Sequence, residues 1–228
     1  MIQSQDLSVQ SVELATPLTD RLLFADLLGA YNAELDRQCI FGSGASGELL
    51  GINQVSGINA VTYTDATPTV PDLYPKVADP IHQAAVGRRL APTAIVMHPR
   101  RWAWITASLD TQSRPLVVPS GEAFNAARTF RGAPSEGRVG EMQGVPVYSD
   151  SNIATNRGAG TNEDQILVFH APSVILFESA IRTRILPDVG SGTLTLRYQL
   201  YAFCNLFAGR YPTAIRTIGG TGLVATTF

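Results

Sequence analysis

The sequence of 228 residues is poor in charge and holds almost no lysine. Charged residues make up 16% of the chain, hydrophobic residues 45%, and the formal net charge is -2. Lys76 is the single lysine, so the other cationic side chains are arginines. Arginine forms planar, bidentate pairs with carboxylates and stacks on aromatic rings, which suits protein–protein contacts. A compositional bias of the genome explains the excess of arginine over lysine equally well. The low charge indicates that part of the surface is covered, for example by further copies of the chain.

Long runs of basic residues are also lacking. The longest are the pairs Arg88-Arg89 and Arg100-Arg101. Proteins that bind nucleic acid directly usually carry a basic patch that displaces counterions, and none is visible along this sequence. It shows neither an acidic tail nor a basic amphipathic helix. A dedicated nucleic-acid-binding protein is therefore not expected.

Cysteine is scarce, and long hydrophobic runs are missing. Cys39 and Cys204 lie far apart, each inside an apolar stretch. Such cysteines are typical of small buried side chains in a reducing compartment rather than of a disulfide framework. No segment approaches eighteen consecutive apolar residues, and the N-terminus lacks the pattern of a signal peptide. We expect a soluble protein that is not secreted.

No set of residues has the spacing of an active site or a metal site. His98 and His170 each follow a predicted strand, and we interpret them as strand-end caps, because neither they nor His82 belong to an H-x-x-x-H or C-x-x-C pattern. The apolar neighbours of both cysteines argue against a Cys–His nucleophile. Ser43 lacks the setting of a nucleophile elbow. Three glutamates in a turn-rich region show no period that pairs them: Glu122, Glu136 and Glu141. We predict no catalytic, cofactor-binding or metal-binding residues.

Apolar periodicity predicts helices and strands in irregular order. The strongest helix starts at Thr16-Pro17 or at Thr19-Asp20 and continues to Ile40. One apolar line runs along it: Leu23, Leu27, Tyr31, Leu35 and Cys39. Shorter helices are predicted at 79–89 and 100–108, the latter with Trp102 in the core and Trp104 at a subunit contact, or the reverse. Residues 57–78 read as an irregular connection. Strands are predicted at 6–12, 93–97, 145–149, 165–169, 174–177, 181–186, 193–207 and 212–218. Without a strict βαβ repeat, the fold class is α+β.

The stretch "FGSGASG" places Gly42, Gly44 and Gly47 at the spacing of a dinucleotide-binding fingerprint. In that fingerprint the glycines follow a strand and open a helix, whose N-terminal N–H groups meet the pyrophosphate. Here they follow the long helix, whose C-terminal end has the wrong dipole sign for phosphate. We therefore interpret these glycines as a turn, and a nucleotide-binding enzyme is not expected.

Four collinear stretches resemble the major capsid proteins of tailed bacteriophages of the Hong Kong 97 type. They are "FADLLGAYNAELDRQCIFGSGASGELLGI", which is similar to the family's spine helix and loop, "PTAIVMHPRRWAWI", "GEMQGVPVYSDSNI" and "LFAGRYPTAIRTI". The resemblance implies a peripheral domain in residues 1–54 with the spine helix and in the long strand of 186–208. It implies an axial domain in 55–185, to which 209–228 return as a C-terminal strand.

The same resemblance implies a function in a virus particle. The chain is expected to be a structural subunit that self-assembles into pentamers and hexamers of an icosahedral head around double-stranded DNA, which it contacts only non-specifically. Expected partners are further copies of itself and other head proteins such as the portal and the scaffold or protease, with no membrane. The location is the virion capsid, assembled in the bacterial host cytoplasm. The alternative is an encapsulin-type nanocompartment shell, which shares the fold and encloses cargo enzymes.

Two features of the family have no counterpart in this sequence. Relatives normally carry an N-terminal arm and an extended hairpin before the strand that leads to the spine helix, and many begin with a scaffolding segment that is cut off, whereas this sequence starts close to that strand. We therefore expect either a truncated form or fragment, or other chains that supply these contacts. On that reading we expect weak, concentration-dependent rings or monomers from the chain alone. Some relatives also link subunits by a lysine–asparagine isopeptide bond. Lys76 lies in the wrong region for it and the segment around Gly192 holds no asparagine, so we predict no such cross-link.

Overall fold

A computed structural model describes residues 1–14, 18–109 and 137–226, which form two compact units. Unit 1 comprises Met1–Gln54 and Ile175–Phe207, and unit 2 comprises Val55–Val174 and Ala208–Phe228. Each unit combines helices with β-sheet, which confirms the α+β class. No helix in the described ranges is long and apolar enough to cross a membrane. Glu122 and Glu136 lie outside the described residues.

The helices and strands follow one another in this order: β1 (Ile2–Ser8), α1 (Val9–Leu14), α2 (Leu18–Phe41), β2 (Asn59–Thr62), α3 (Val70–Arg88), β3 (Ala94–Met97), α4 (Pro99–Ala107), β4 (Arg138–Met142), β5 (Val145–Ser149), β6 (Ile166–Phe169), β7 (Ile175–Glu178), β8 (Arg182–Gly190), β9 (Thr195–Tyr201), β10 (Cys204–Phe207) and β11 (Ile215–Gly219). Short 3-10 turns lie between several of them.

Unit 1 is built around the long helix that the sequence predicts. One line of α2 side chains is buried against β9, where the core residues are Leu23, Leu27, Tyr31 and Leu35 of the helix with Tyr198, Leu200 and Ala202. Strands β1, β9 and β8 form an antiparallel sheet in that order, and β10 pairs separately with β7. This buried line recurs at helical spacing, so one side of the 24-residue helix is covered by the sheet.

Three strand predictions in unit 1 are wrong in their bounds. The strand expected at 181–186 continues to Gly190. The strand expected at 6–12 ends at Ser8, because the Ser8 hydroxyl accepts a hydrogen bond from the Ser11 N–H (3.1 Å) and so starts α1. The strand expected at 193–207 is divided into β9 and β10. At Ala202 and Phe203 the backbone changes partners, from Met1 (3.1 Å) to Ser179 (2.9 Å).

The compact units divide the chain at residue 175, before the domain boundary at residue 185 that the resemblance implies. Residues 175–185 belong to unit 1, because β7 pairs with β10 and β8 pairs with β9. The sequence gives no signal for this, since the partners of both strands follow later in the chain.

Unit 2 contains a six-stranded mixed sheet with the order β2-β11-β6-β3-β5-β4. Its core is larger than that of unit 1 and includes fourteen buried hydrophobic side chains, among them Ile95, Val147, Ile166 and Ile218. Strand β2 lies within the stretch 57–78 that reads as irregular and pairs in parallel with β11. The other strand predictions of unit 2 are confirmed to within three residues at each end.

The helix predicted at 79–89 begins nine residues earlier, at Val70. Thr69 is its N-cap, with a side chain that accepts a hydrogen bond from the Asp72 N–H, and a proline stands in the first turn. The prediction failed because Pro75 and Pro80 lie inside the helix. Proline lacks the N–H that continues the ladder, so these residues read as a break.

Candidate assembly surfaces

The glycine-rich loop after α2 is a tight turn, as the sequence predicts. The N–H of Gly42 still donates to Gln38 (2.9 Å), and the N–H of Gly51 returns to the Gly42 carbonyl (2.9 Å). A Cβ on Gly42 would lie 2.2 Å from the Leu49 oxygen. The glycine therefore permits two backbone segments to approach more closely than any side chain would allow.

The loop already contains an anion from its own chain. The Glu48 carboxylate accepts hydrogen bonds from the Ser43 hydroxyl (2.7 Å), the Ser43 N–H (3.0 Å) and the Arg37 guanidinium (2.8 Å). These contacts, with those of Ser43 first, lower the pKa of Glu48 to about 2. The Ser43 N–H, which a bound phosphate would need as a donor, already donates to Glu48. The loop therefore satisfies this donor from its own chain.

The three histidines lie at separate places in unit 2. His98 caps α4, because its Nδ1 accepts a hydrogen bond from the Arg100 N–H (3.1 Å), and burial lowers its pKa. The His170 Nδ1 lies 2.9 Å from the Ser173 hydroxyl. His82 is exposed on α3. Among the described residues, no group of three or more histidine, cysteine or acidic side chains is arranged to hold a metal ion.

Both cysteines are free and pack against the core of unit 1. Burial raises the pKa of the Cys39 thiol to about 11. Cys204 Sγ lies 3.1 Å from the hydroxyl of buried Tyr31, which also donates a hydrogen bond to Glu178. This polar contact between α2, β7 and β10 is structural, and the sequence did not reveal it because its members are far apart in the chain.

Both tryptophans pack partly against the core of unit 2. The expectation that only one of them is a core residue is therefore wrong. Trp104 also lies beside the Arg101 guanidinium, 5.0 Å from ring centroid to Cζ. Trp102 packs on Gly140 of β4, where a Cβ would lie 2.5 Å from the indole ring.

Unit 1 exposes an apolar ribbon on the β7–β10 pair, which we define as Leu176, Phe177, Phe203 and Phe207. Phe203 is 70% exposed and Phe177 57%. The rings of Phe177 and Phe207 meet edge to face at 5.6 Å. Large exposed apolar patches mark interaction sites in soluble proteins. The sequence could have indicated this ribbon, because "YAFCNLF" carries apolar residues on both faces of a strand.

A second exposed apolar surface of unit 1 lies on β8. This strand forms one edge of the sheet and exposes Ile185 and Val189 to about half of their area. Its outer edge has no partner strand in the described part of the chain. Open edges pair readily with another chain. The exposed apolar side chains and the open strand edge of unit 1 are thus candidate contact surfaces.

Comparison with known proteins agrees with this picture. The family model described as phage capsid family matches residues 19–203. No curated protein matches the chain. Solved structures with a similar fold include one from Gordonia phage Cozz, with a TM-score of 0.67, 13% identity and coverage of 97% of this chain and 69% of that chain. The capsid of the native GTA particle gives a TM-score of 0.69, 15% identity and coverage of 96% and 71%.

A nanocompartment shell is similar as well. The holo-SrpI encapsulin complex from Synechococcus elongatus has a TM-score of 0.62 at 12% identity, with coverage of 100% of this chain and 75% of that chain. At these identities the structural likeness shows the fold, and the family rests on the match over residues 19–203.

Proposed function

The chain belongs to the phage capsid family and is a structural shell protein of the virion, and from this premise we propose that its copies form the pentamers and hexamers of an icosahedral head around double-stranded DNA. In this proposal unit 1 is the peripheral domain, with α2 as the spine helix, and unit 2 is the axial domain. The shell assembles in the cytoplasm of the bacterial host and touches the DNA only non-specifically.

The observation that carries the proposal is the distribution of exposed apolar side chains. Of the seventeen large hydrophobic residues exposed in the described part of the chain, thirteen lie in unit 1. A chain that acts alone rarely leaves so much apolar surface in one unit. Rings of identical copies bury such surfaces against different surfaces of their neighbours.

The proposal includes further head proteins. The portal, and a scaffold or protease, act on the assembled or assembling shell in tailed phages, and we infer the same partners here from the family. The protein has no catalytic role in this proposal. Nor do its copies form a lysine–asparagine cross-link, since the single lysine, Lys76, lies on α3 of unit 2. Denaturing gels of assembled particles are expected to show single chains, and a ladder of linked chains would contradict this.

An encapsulin-type shell is the second candidate, favoured by the full coverage of this chain in the encapsulin comparison. The two candidates differ in content. Particles isolated from the native source are expected to protect long double-stranded DNA from nuclease. Particles that instead contain an enzyme and no protected DNA would establish the nanocompartment.

Assembly is tested by electron microscopy and mass measurement of the purified chain over a range of concentrations. We expect concentration-dependent rings of five or six copies. Phe203→Ser removes a 70% exposed ring of the apolar ribbon, and we expect the concentration needed for half-assembly to rise at least tenfold, since buried aromatic anchors dominate interfaces.

The matched control is Leu109→Ser, which removes a 56% exposed side chain of unit 2. We expect this chain to assemble within threefold of the original. The sequence allows rings or monomers, and the exposed apolar surface of unit 1 favours rings. A chain that stays monomeric at every concentration would therefore contradict the proposal. Equal effects of the two substitutions would show that the apolar ribbon has no special part in it.

A further inference from the structure

Three arginines and a tyrosine gather at the C-terminal end of α3 in unit 2. The Arg88 guanidinium lies over the Tyr211 ring at 3.9 Å from its centroid, and Arg210 lies on the same ring at 4.9 Å. Arg89 is the exposed C-cap residue of the helix. We name Arg88, Arg89 and Arg210 the basic end of α3. The sequence shows only the Arg88-Arg89 pair, because Arg210 is brought in by the fold.

The helix reaches Tyr211 because of a glycine. A Cβ on Gly87 would lie 3.3 Å from the Thr213 Cβ and 2.9 Å from Nη2 of Arg216. Without that atom, α3 packs directly on the 3-10 turn Pro212–Ala214. Arg216 is buried beneath this contact and donates to the carbonyls of Ile215 (2.8 Å), Gln83 (3.3 Å) and Pro212 (3.4 Å). It adds positive charge under the surface.

Among the residues that the structure describes, no carboxylate pairs with the basic end. The segments that build it, residues 80–109, 165–174 and 208–226, hold no aspartate or glutamate. Within the described ranges, the ion pairs of unit 2 use other arginines, namely Arg100 and Arg101 with Asp164 and Arg138 with Glu141. Three arginine charges thus lie at one place without a carboxylate partner in the described part of the chain.

The opposite end of the same helix is acidic. Asp65 accepts a hydrogen bond from the Tyr63 hydroxyl (3.3 Å), and Asp72 lies in the first turn of α3. Burial, followed by the charge of Asp65 and then Asp72, raises the pKa of Tyr63 to about 12, so both carboxylates lie near this ring. Neither forms an ion pair among the described residues. We name Asp65 and Asp72 the acidic end of α3.

Stabilisation of the helix dipole does not account for all of these charges. Asp72 at the first turn and Arg88 at the last turn compensate the dipole. The dipole does not require the additional charges of Asp65, Arg89 and Arg210. Asp72 and Arg88 are separated by sixteen residues of helix, or about 24 Å, so the two charged ends do not neutralise each other within one copy.

From this segregation we propose that the basic end of α3 in one copy contacts the acidic end of α3 in the next copy around a ring. The inference rests on the proposed function, because a ring joins two different faces of each subunit. Arginine and tyrosine are enriched at protein interfaces, and planar guanidinium groups pair well with carboxylates. Exposed Val86 and Leu90 flank the arginines, as expected for a contact with protein.

Charge reversal tests the contact. The basic-end variant is Arg89→Glu/Arg210→Glu, which leaves half-buried Arg88 in place, and the acidic-end variant is Asp65→Arg/Asp72→Arg. We expect each to raise the concentration for half-assembly at least tenfold at low salt. A chain that carries all four substitutions is expected to recover to within threefold, because the ends are again complementary.

Mixing the two variants gives a sharper result. Alternating copies satisfy every contact in a ring of six but not in a ring of five, so the equimolar mixture is expected to form hexamers without pentamers. The control Arg21→Glu/Arg182→Glu changes the net charge equally at exposed arginines of unit 1, and we expect it to assemble within threefold of the original. For chains that fold poorly, Arg89→Gln/Arg210→Gln is measured instead, and we expect a weaker dependence of assembly on salt.

Several outcomes would overturn the inference. They are unchanged assembly of both reversed chains, failure of the four-substitution chain despite a native circular dichroism spectrum, or an equal loss in the control. Loss of salt-dependent binding to a short DNA duplex with assembly unchanged would assign the basic end to nucleic acid instead. Closed rings whose assembly is unchanged by the substitutions would contradict this contact and leave the proposed function standing. Open oligomers that are lost in each reversed chain and recovered in the four-substitution chain would support the contact and contradict the closed shell.

Discussion

Unit 1 and unit 2 use their hydrophobic residues in different ways. Unit 2 gathers fourteen buried side chains into one core and exposes four large hydrophobic residues in its described part. Unit 1 has a core of seven buried side chains and exposes thirteen. Since burial of apolar area is the main stabilising term in folding, unit 2 is stabilised mostly by itself. Unit 1 is expected to gain a large part of its stability from neighbouring copies.

The largest effect is expected in unit 2, for Asp164→Ala. Asp164 is fully buried and accepts from Arg101 Nε (3.1 Å) and Arg100 Nε (2.7 Å). Removal of the carboxylate leaves a buried arginine charge without its partner, which costs about 3–5 kcal/mol. Denaturant unfolding followed by tryptophan fluorescence measures the loss. Asp79→Ala, on the exposed face of α3, is the control, and equal losses would show that the pair is not structural.

The second-largest effect is a loss of stability that is expected in unit 1 but not in unit 2. Leu27→Ala removes a buried side chain from the core of unit 1, and we expect unit 1 to lose about 2–3 kcal/mol, near the low end of such substitutions because its small core relaxes. Thiol labelling of Cys39 and Cys204 reports this unit, because both cysteines lie in it. The tryptophan transition of unit 2 is expected to stay in place. A joint shift of both signals would show that the units unfold together.

A smaller effect is expected from Tyr31→Phe, which removes the hydroxyl that donates to Glu178. The loss of one such hydrogen bond costs unit 1 about 1 kcal/mol. Tyr74→Phe changes an exposed ring in unit 2 and serves as the control. Thiol labelling in denaturant measures the difference, and equal behaviour of the two variants would mean that the Tyr31 contact adds nothing.

The smallest effect concerns pH and the loop after α2. Ser43 and Arg37 lower the folded-state pKa of Glu48 to about 2, below its ordinary value. The stabilisation is therefore fully present above the unfolded pKa, near 4.5, and is lost as the pH falls towards 2. We expect Glu48→Gln to reduce the pH dependence of unit 1 stability between pH 5 and pH 2. Glu13→Gln on α1 is the control, and an unchanged slope for Glu48→Gln would disprove the coupling.

Local patterns predicted much of this fold, because they arise from contacts close in sequence. The line from Leu23 to Leu35 on α2 and the turn at Gly42 follow from periodicity and backbone freedom. The start of α3 was missed because its interior prolines suggest a break, although packing retains the helix. The division into β9 and β10 was missed because the strand changes partners without changing its apolar pattern.

The contact surfaces were harder to predict than the fold. Whether Phe177 and Phe203 are core or surface depends on what covers the β7–β10 pair, which a sequence pattern does not state. The basic end of α3 depends on Arg210 reaching Tyr211 and Arg88 through the packing of the last turn. The proposed function depends on surfaces that only the folded chain creates.

The central claim is that unit 1 depends on neighbouring copies for its stability whereas unit 2 does not. Measurements on a single chain test it directly. Both tryptophans lie in unit 2 and both cysteines in unit 1, so fluorescence and thiol labelling follow the two units separately during denaturant unfolding. For the unassembled chain, we predict that the thiols become reactive at a lower denaturant concentration than the tryptophan transition, and that assembly closes this gap. Coincident transitions in the unassembled chain would contradict the account.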